Sequence, residues 1–155
     1  MPPTDHFGLA LYYQRIGDFD NAVLHYRALL EQNNGSSEVH NNLGVALMRA
    51  GRFDAASGEL RVALATEPRN VESMVNMALV QKASGHGADA RDLLQRAVGV
   101  EPRNAGAHYN LAVVADEAGD AAMAIEHYRA FLRFGAVAHA DLVTPVRARL
   151  AALGG

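Results

Sequence analysis

Glycine and alanine recur in this sequence at a fixed interval of 34 residues. The glycine column is followed five residues later by an alanine column with the same period. The two columns are Gly17, Gly51, Gly85 and Gly119, then Ala22, Ala56, Ala90 and Ala124. A period of this length is typical of two-element repeats that bury their apolar faces by stacking on one another. We therefore divide the chain into four repeats, residues 3–36, 37–70, 71–104 and 105–138.

Each repeat has the apolar spacing of two helices. Around Gly51, apolar residues recur every three to four positions on both sides, which predicts a helix before it and another after it. Glycine ends a helix at low cost because it tolerates a positive φ. Short polar side chains stand where helices would begin and can cap them; these expected caps are Asp18, Asp54, Asn70, Asn104 and Asp120. The first repeat ends at a different stop, Asn34-Gly35-Ser36-Ser37.

Four short motifs resemble those of the tetratricopeptide repeat family. They are Asn42-Leu43-Gly44, Asn110-Leu111-Ala112, Gly-Asp-Phe-Asp at 17–20 and Gly-Arg-Phe-Asp at 51–54. The resemblance covers residues 3–138 and implies an all-α fold, a right-handed superhelical solenoid of four helix-turn-helix repeats. The family's early Trp is replaced, here by His6, His40, Met74 and His108. We expect Gly44 and Ala56 at the closest helix contacts, where a larger side chain would not fit.

Residues 139–155 lie beyond the four repeats and carry one apolar stripe. The stripe consists of Leu142, Val146, Leu150 and Leu153. A solenoid needs a terminal element with one polar face, because its last repeat otherwise exposes its stacking surface. We therefore expect a C-terminal capping helix. It begins either at Thr144-Pro145 or at Asp141, and we adopt the longer version, with Pro145 in the first turn.

If the repeats stack as in the family, the first helix of each lines a concave groove, and residues 34 positions apart form rows along it. The most regular polar row is Asn42, Asn76 and Asn110. An amide both donates and accepts hydrogen bonds, so a ladder of amides can bind the backbone of an extended peptide, as similar rows do in other family members. Equally open is the alternative that these amides bond neighbouring helices or water.

Other residues of the first helices complete the expected groove. They are Phe7, Asn41 and Tyr109 beside the amide row, and Arg15, Arg49, Met48 and Lys82 further along the helices. The charges predict a groove that is basic near the first two repeats and acidic by the fourth, at Asp116. We expect an acidic peptide segment against the two arginines. Core packing of the apolar residues and solvation of either arginine alone are the competing interpretations.

Seven histidines raise the question of a metal site. Equivalent histidines, such as His6 and His40, belong to neighbouring repeats about 8–10 Å apart, whereas zinc ligands lie about 2.0–2.1 Å from the metal. No two histidines have the spacing of a chelate within one helix, so we predict structural roles, no metal and no cofactor. The sequence contains no nucleophile elbow or phosphate-binding loop. No catalytic residue is therefore predicted, and the protein is not expected to be an enzyme.

Composition narrows the choice of partner. A formal net charge of -3 supplies no basic field for nucleic acid. No apolar run is long enough to enter a membrane as a spanning helix, and the first residues do not have the pattern of a secretory signal. We expect a cytoplasmic protein, or a periplasmic one if the chain is processed or is a fragment.

The predicted function is a non-catalytic protein–protein interaction module or scaffold that binds a peptide or helix of a partner protein in the groove. Two alternatives remain. One is a self-assembling structural protein that forms homo-oligomers through exposed repeat ends, which Phe7, Tyr12 and Tyr13 in the first helix suggest. The other is a regulatory docking domain of a larger enzyme.

Overall fold

In the computed structural model, the described residues, 5–32 and 35–155, form nine α-helices and no strand. The helices are α1 (His6–Arg15), α2 (Phe19–Glu31), α3 (Ser37–Arg49), α4 (Phe53–Thr66), α5 (Val71–Ala83), α6 (Gly87–Val100), α7 (Ala105–Glu117), α8 (Ala121–Gly135) and α9 (Ala140–Leu153). They belong to two compact units: α1 to α5 in a first unit that ends at Ser84, and α6 to α9 in a second unit from Gly85 to Gly155. Residues 3 and 4 of the first repeat, and Asn34 of its predicted stop, lie outside the described residues.

The periodic glycines form the turns between helices. Gly17, Gly51, Gly85 and Gly119 all have φ angles between 80° and 83°. This is the left-handed region, which glycine enters without the steric cost that a Cβ would bring. The expected helix stops at these four positions are confirmed.

Most of the predicted N-terminal caps are confirmed. Side-chain oxygens accept backbone N–H groups three residues ahead at Asp18, Asn70, Asn104 and Asp120. The prediction for Asp54 is wrong, because Arg52 occupies the cap position of α4 and Asp54 lies in the first turn. A carboxylate in the first turn still favours the helix, since it faces the positive end of the helix dipole.

In the first unit, α2 packs against α1 and α3, and α4 packs against α3 and α5. Tyr26, Leu43 and Leu60 are fully buried there. Gly44 lies where α3 meets α4: a Cβ at this position would come within 2.7 Å of Leu60 Cγ and 3.4 Å of the Ala56 carbonyl oxygen. The close contact expected at Gly44 and Ala56 is therefore present.

In the second unit, α7 packs against α6 and α8, and α9 packs against α8. One core cluster joins α7, α8 and α9 and includes Tyr128, Phe131, Val146 and Leu150. Helix α9 begins before Asp141, so Pro145 lies in its second turn and not in the first turn as expected. Burial of the apolar stripe outweighs the local preference of proline for a helix start, because tertiary packing provides most of a helix's stability.

Candidate functional site

Asn41, expected beside the amide row, lies between α3 and α5 with 5% of its surface exposed. Its Oδ1 accepts hydrogen bonds from the Ser73 hydroxyl at 3.0 Å and from Asn76 Nδ2 at 3.1 Å. Its Nδ2 donates to Glu72 Oε1 at 3.4 Å. A buried amide needs such partners because its desolvation is otherwise unfavourable. Asn41 thus connects α3 to α5, and Asn76 uses its amide nitrogen in the same connection.

The three asparagines of the predicted ladder have different surroundings. In the second unit, Asn110 Nδ2 donates to the Gly106 carbonyl of its own helix at 2.8 Å. In the first unit, Asn42 is half-buried and makes no hydrogen bond with any described residue. The whole amide of Asn42 is therefore open to a ligand, whereas Asn76 and Asn110 each use one of their two Nδ2 hydrogens within the protein.

Asn42 lines a small polar cavity between the first turns of α3 and α5. The cavity has a volume of about 170 Å³ and is lined by Ser37, Glu38, Asn41, Asn42, Glu67, Asn70, Glu72 and Ser73. The Ser37 hydroxyl donates to Glu67 Oε1, and Asn70 Nδ2 donates to Glu67 Oε2 at 3.2 Å. These two hydrogen bonds lower the pKa of Glu67, because they stabilise its charged form. The cavity wall is thus anionic at neutral pH.

In the first unit, acidic and basic residues lie at opposite ends of the helices that begin each repeat, α1, α3 and α5. Glu38 and Glu72 lie in the first turns of α3 and α5, whereas Arg15, Arg49 and Lys82 lie in the last turns of α1, α3 and α5. This distribution complements the helix dipoles. In this unit, charge therefore changes along each helix, from acidic at its beginning to basic at its end.

The remaining predicted groove residues are partly used in packing. Arg49 is exposed, and its guanidinium carbon lies 5.8 Å from the centroid of the Phe19 ring. Arg15 is exposed, whereas Phe7, Met48 and Lys82 are half-buried. In the second unit, the half-buried Tyr109 ring packs against Phe131, with ring centroids 5.3 Å apart. Tyr109 thus contributes to the core as well as to the surface.

A family model for the tetratricopeptide repeat matches residues 7–71 and 75–140. The chain belongs to the tetratricopeptide repeat family. No curated protein sequence matches it. No helix in the described ranges is long and apolar enough to cross a membrane.

Solved structures of other tetratricopeptide repeat proteins share the fold. PilF of Pseudomonas aeruginosa is 26% identical and aligns over 97% of this chain and 75% of its own, with a TM-score of 0.77. TTC0263 of Thermus thermophilus, a thermophilic TPR protein, is 19% identical over 96% of this chain and 79% of its own, with a TM-score of 0.76. YrrB, described as a TPR protein with an unusual peptide-binding site, is 16% identical over 84% of this chain and 67% of its own, with a TM-score of 0.72. The predicted all-α tetratricopeptide repeat fold is confirmed.

The acidic charge expected at Asp116 is neutralised within the second unit. Arg149 of α9 donates to both oxygens of the Asp116 carboxylate, each at 2.7 Å, and the Tyr128 hydroxyl donates to Oδ2 at 3.1 Å. The Arg149 guanidinium lowers the pKa of Asp116. Sequence analysis missed both contacts of Asp116. A repeated spacing could have indicated the one with Tyr128, because Gln14 and Tyr26 are also 12 positions apart and are hydrogen-bonded at 2.7 Å.

Arg149→Met is expected to loosen α9, because the variant keeps an aliphatic chain but loses both hydrogen bonds to Asp116. We expect the melting temperature to fall by about 2–4 °C at pH 7. Asp116 has a lowered pKa in the folded state. The contribution of the Arg149–Asp116 pair to stability is therefore complete at pH values above the unfolded-state pKa of aspartate, about 3.9. It is lost as pH falls through the pKa of Asp116 in the folded state. Circular dichroism melts at pH 7 and pH 2.5 measure this; a difference between the two proteins that is as large at pH 2.5 as at pH 7 contradicts the assignment.

Three of the tetratricopeptide repeats carry a polar side-chain pair 19 positions apart, one partner on each helix. In the first unit, His6 Nδ1 lies 3.0 Å from His25 Nδ1, and His40 Nδ1 lies 2.7 Å from Glu59 Oε2. In the second unit, His108 Nδ1 lies 2.9 Å from His127 Nδ1. Sequence analysis missed these pairs because it compared equivalent histidines of successive repeats and not the two helices of one repeat. No group of three or more potential metal ligands is found among the described residues.

Proposed function

We propose that the chain is a non-catalytic protein-interaction module that binds an extended peptide of a partner protein across α1, α3 and α5 of the first unit. The observation that carries this proposal is the Asn42 amide, which is half-buried, has no partner among the described residues and lines a cavity. A donor and an acceptor held in this way can pair with one peptide group of an extended chain. The description of YrrB as a peptide-binding TPR protein supports the same function for this chain.

The charges of the first unit suggest how such a peptide is oriented. Arg15 and Arg49 are exposed at one end of the helices, and Glu38 and Glu72 lie at the other. We propose that an acidic segment of the peptide lies on the side of the two arginines. Electrostatic complementarity of this kind selects the partner and speeds its association, and salt screens it. In the second unit, Asn110 and Tyr109 remain proposed groove residues, and Asn110 contributes its Oδ1 and its second Nδ2 hydrogen.

The test compares capture of partners from the native lysate by three proteins. Asn42→Ala removes the amide that has no hydrogen-bond partner among the described residues. The control, Gln95→Ala, removes an exposed amide of α6 that lies outside the proposed face. We expect one partner to be retained by wild type and Gln95→Ala and lost with Asn42→Ala. For a peptide of that partner, we expect about tenfold weaker binding to Asn42→Ala in calorimetry. Equal affinities for Asn42→Ala and wild type, together with unchanged binding to an Arg15→Glu/Arg49→Glu variant at low salt, exclude the proposed face.

Self-association is the second candidate, and exposed apolar residues within α1 and at its C-terminal cap favour it. Leu11 is 36% exposed and Ile16 is 59% exposed, whereas Tyr12 and Tyr13 pack on each other with ring centroids 5.4 Å apart. Exposed apolar area of this kind is typical of contact surfaces. Light scattering over a range of concentrations distinguishes the candidates, since a protein that stays monomeric throughout does not assemble through α1.

A further inference from the structure

Within each of the two histidine pairs, the Nδ1 atoms of the two rings face each other. The ring centroids of His6 and His25 are 5.3 Å apart and those of His108 and His127 are 5.2 Å apart. Given Nδ1–Nδ1 distances of 3.0 Å and 2.9 Å, these centroid separations are as long as the size of the rings allows, so the nitrogen atoms point at each other. A zinc ion between them would need each nitrogen about 2.0–2.1 Å away, and the gap is too short for that. A hydrogen bond that shares one proton fits the distance.

The protonation state of one pair follows from its surroundings. His108 Nε2 lies 2.7 Å from the Pro102 carbonyl oxygen, an acceptor, so His108 donates its Nε2 hydrogen there. In the neutral ring, His108 Nδ1 is then an acceptor, and His127 Nδ1 must donate to it. The first proton that the pair takes up goes to His127 Nε2 and leaves the bond intact. A second proton on His108 Nδ1 places two N–H groups and two positive charges against each other, and the bond breaks.

We propose that the two histidine pairs are acid-sensitive latches, which add to the apolar packing of α1 on α2 and of α7 on α8 only while at most one proton lies between the facing nitrogen atoms. An opened hairpin exposes both imidazoles to water, where each binds a proton near the ordinary pKa of about 6.5. Because the closed hairpin excludes the second proton, acid favours the open form. By linkage, each excluded proton shifts the equilibrium toward opening by about tenfold per pH unit below that value.

The second repeat carries the opposite response at the same position. His40 donates from Nδ1 to Glu59 Oε2, and protonation of His40 at Nε2 turns this bond into an ion pair. The pair weakens only when the carboxylate itself is protonated, and carboxylates take up protons only in stronger acid than imidazoles do. Mild acid therefore releases the His–His hairpins and leaves the hairpin of α3 and α4 closed.

Few charged groups act on the histidine pairs. Glu126 of α8 has its Oε2 4.0 Å from His127 Nε2 and is 74% exposed. Burial lowers the pKa of His127, and Glu126 opposes this effect. In the first unit, the neutral Tyr13 ring stacks on His25 at 5.5 Å, and Asp5 caps α1 next to His6. The neighbouring helices α3, α6 and α9 give no hydrogen bond or ion pair to the four rings among the described residues.

Hydrogen exchange at pH 7.5 and pH 5.5, corrected for the intrinsic rates, tests the proposal on the full chain. We expect protection in α1, α2, α7 and α8 to fall about tenfold or more at pH 5.5, while α3 and α4 keep theirs. His127→Glu copies the His40–Glu59 pair and is expected to restore protection of α7 and α8 at pH 5.5 without changing α1 and α2. Loss of protection that is uniform over all hairpins, or unaffected by His127→Glu, overturns the proposal.

A second measurement keeps the test valid if His127→Glu does not fold. Imidazole ¹⁵N chemical shifts of the wild type report which ring nitrogen carries the proton. We expect His108 to be protonated at Nε2 only at pH 7.5, and α7 and α8 to lose protection at the pH where His108 Nδ1 is protonated. Both Nδ1 atoms protonated in a hairpin that stays protected would overturn the latch.

Discussion

Phe131→Ala is expected to lower the free energy of unfolding by about 3–5 kcal/mol, the largest effect of any substitution considered for the second unit. Phe131 is 1% exposed and belongs to the cluster that joins α7, α8 and α9. Its ring lies 5.3 Å from the Tyr109 ring and 5.9 Å from the His139 ring, centroid to centroid. Removing it leaves a cavity among three helices, and the loss of contacts adds to the lost transfer free energy.

Phe134→Ala is the matched control, on the same helix and with the same change of side chain. Phe134 is 37% exposed, so we expect its removal to cost less than about 1.5 kcal/mol. Urea denaturation followed by circular dichroism measures both variants. Equal losses for the two phenylalanines would mean that Phe131 does not hold the helices together.

Gly44→Leu is expected to destabilise the first unit by about 3 kcal/mol. A Cβ on Gly44 would already lie 2.7 Å from Leu60 Cγ and 3.0 Å from Leu60 Cδ2. Leu60 is fully buried, and close packing leaves a buried side chain little room to shift. The helices α3 and α4 must therefore separate to admit any side chain, and the three further carbons of leucine enlarge the separation.

Gly58→Leu tests the same exchange without the clash. Gly58 lies in α4, is exposed, and a Cβ there would meet nothing within 4 Å. Leucine favours a helix over glycine by about 0.8 kcal/mol, so we expect this variant to be slightly more stable than wild type. The two variants thus move the urea midpoint in opposite directions. A Gly44→Leu protein as stable as wild type would show that α3 and α4 do not meet at this glycine.

Much of the fold was predictable because it depends on residues close to one another in the chain. A glycine at a helix end and an asparagine three residues before a backbone N–H act through local geometry. Gly51 and Asn70 were therefore assigned correctly from the sequence. Asp54 was misassigned by two positions, because the repeat aligns Arg52, and not Asp54, with the caps Asp18 and Asp120.

The candidate site was less predictable because adjacent residues of one helix face different neighbours. Asn41 and Asn42 are adjacent and line the same cavity. Asn41 is nevertheless buried and hydrogen-bonded to residues of α5, whereas Asn42 is half-buried and makes no hydrogen bond with a described residue. Sequence placed both in the groove, since a residue type and a period do not show which amide a neighbouring helix covers. The pairing of Arg149 with Asp116 was missed for the same reason, as it depends on how α9 packs on the second unit.

The sequence by itself determined the number of helices, the positions of the turns and the family, because helix periodicity and turn glycines are local properties that a period of 34 residues repeats four times. Only the tertiary structure decided which amide has no hydrogen-bond partner among the described residues and which histidines face each other. Those partners lie 19 to 35 positions apart in the chain. Their contacts depend on the angles and distances between packed helices. No single segment of the sequence specifies that geometry.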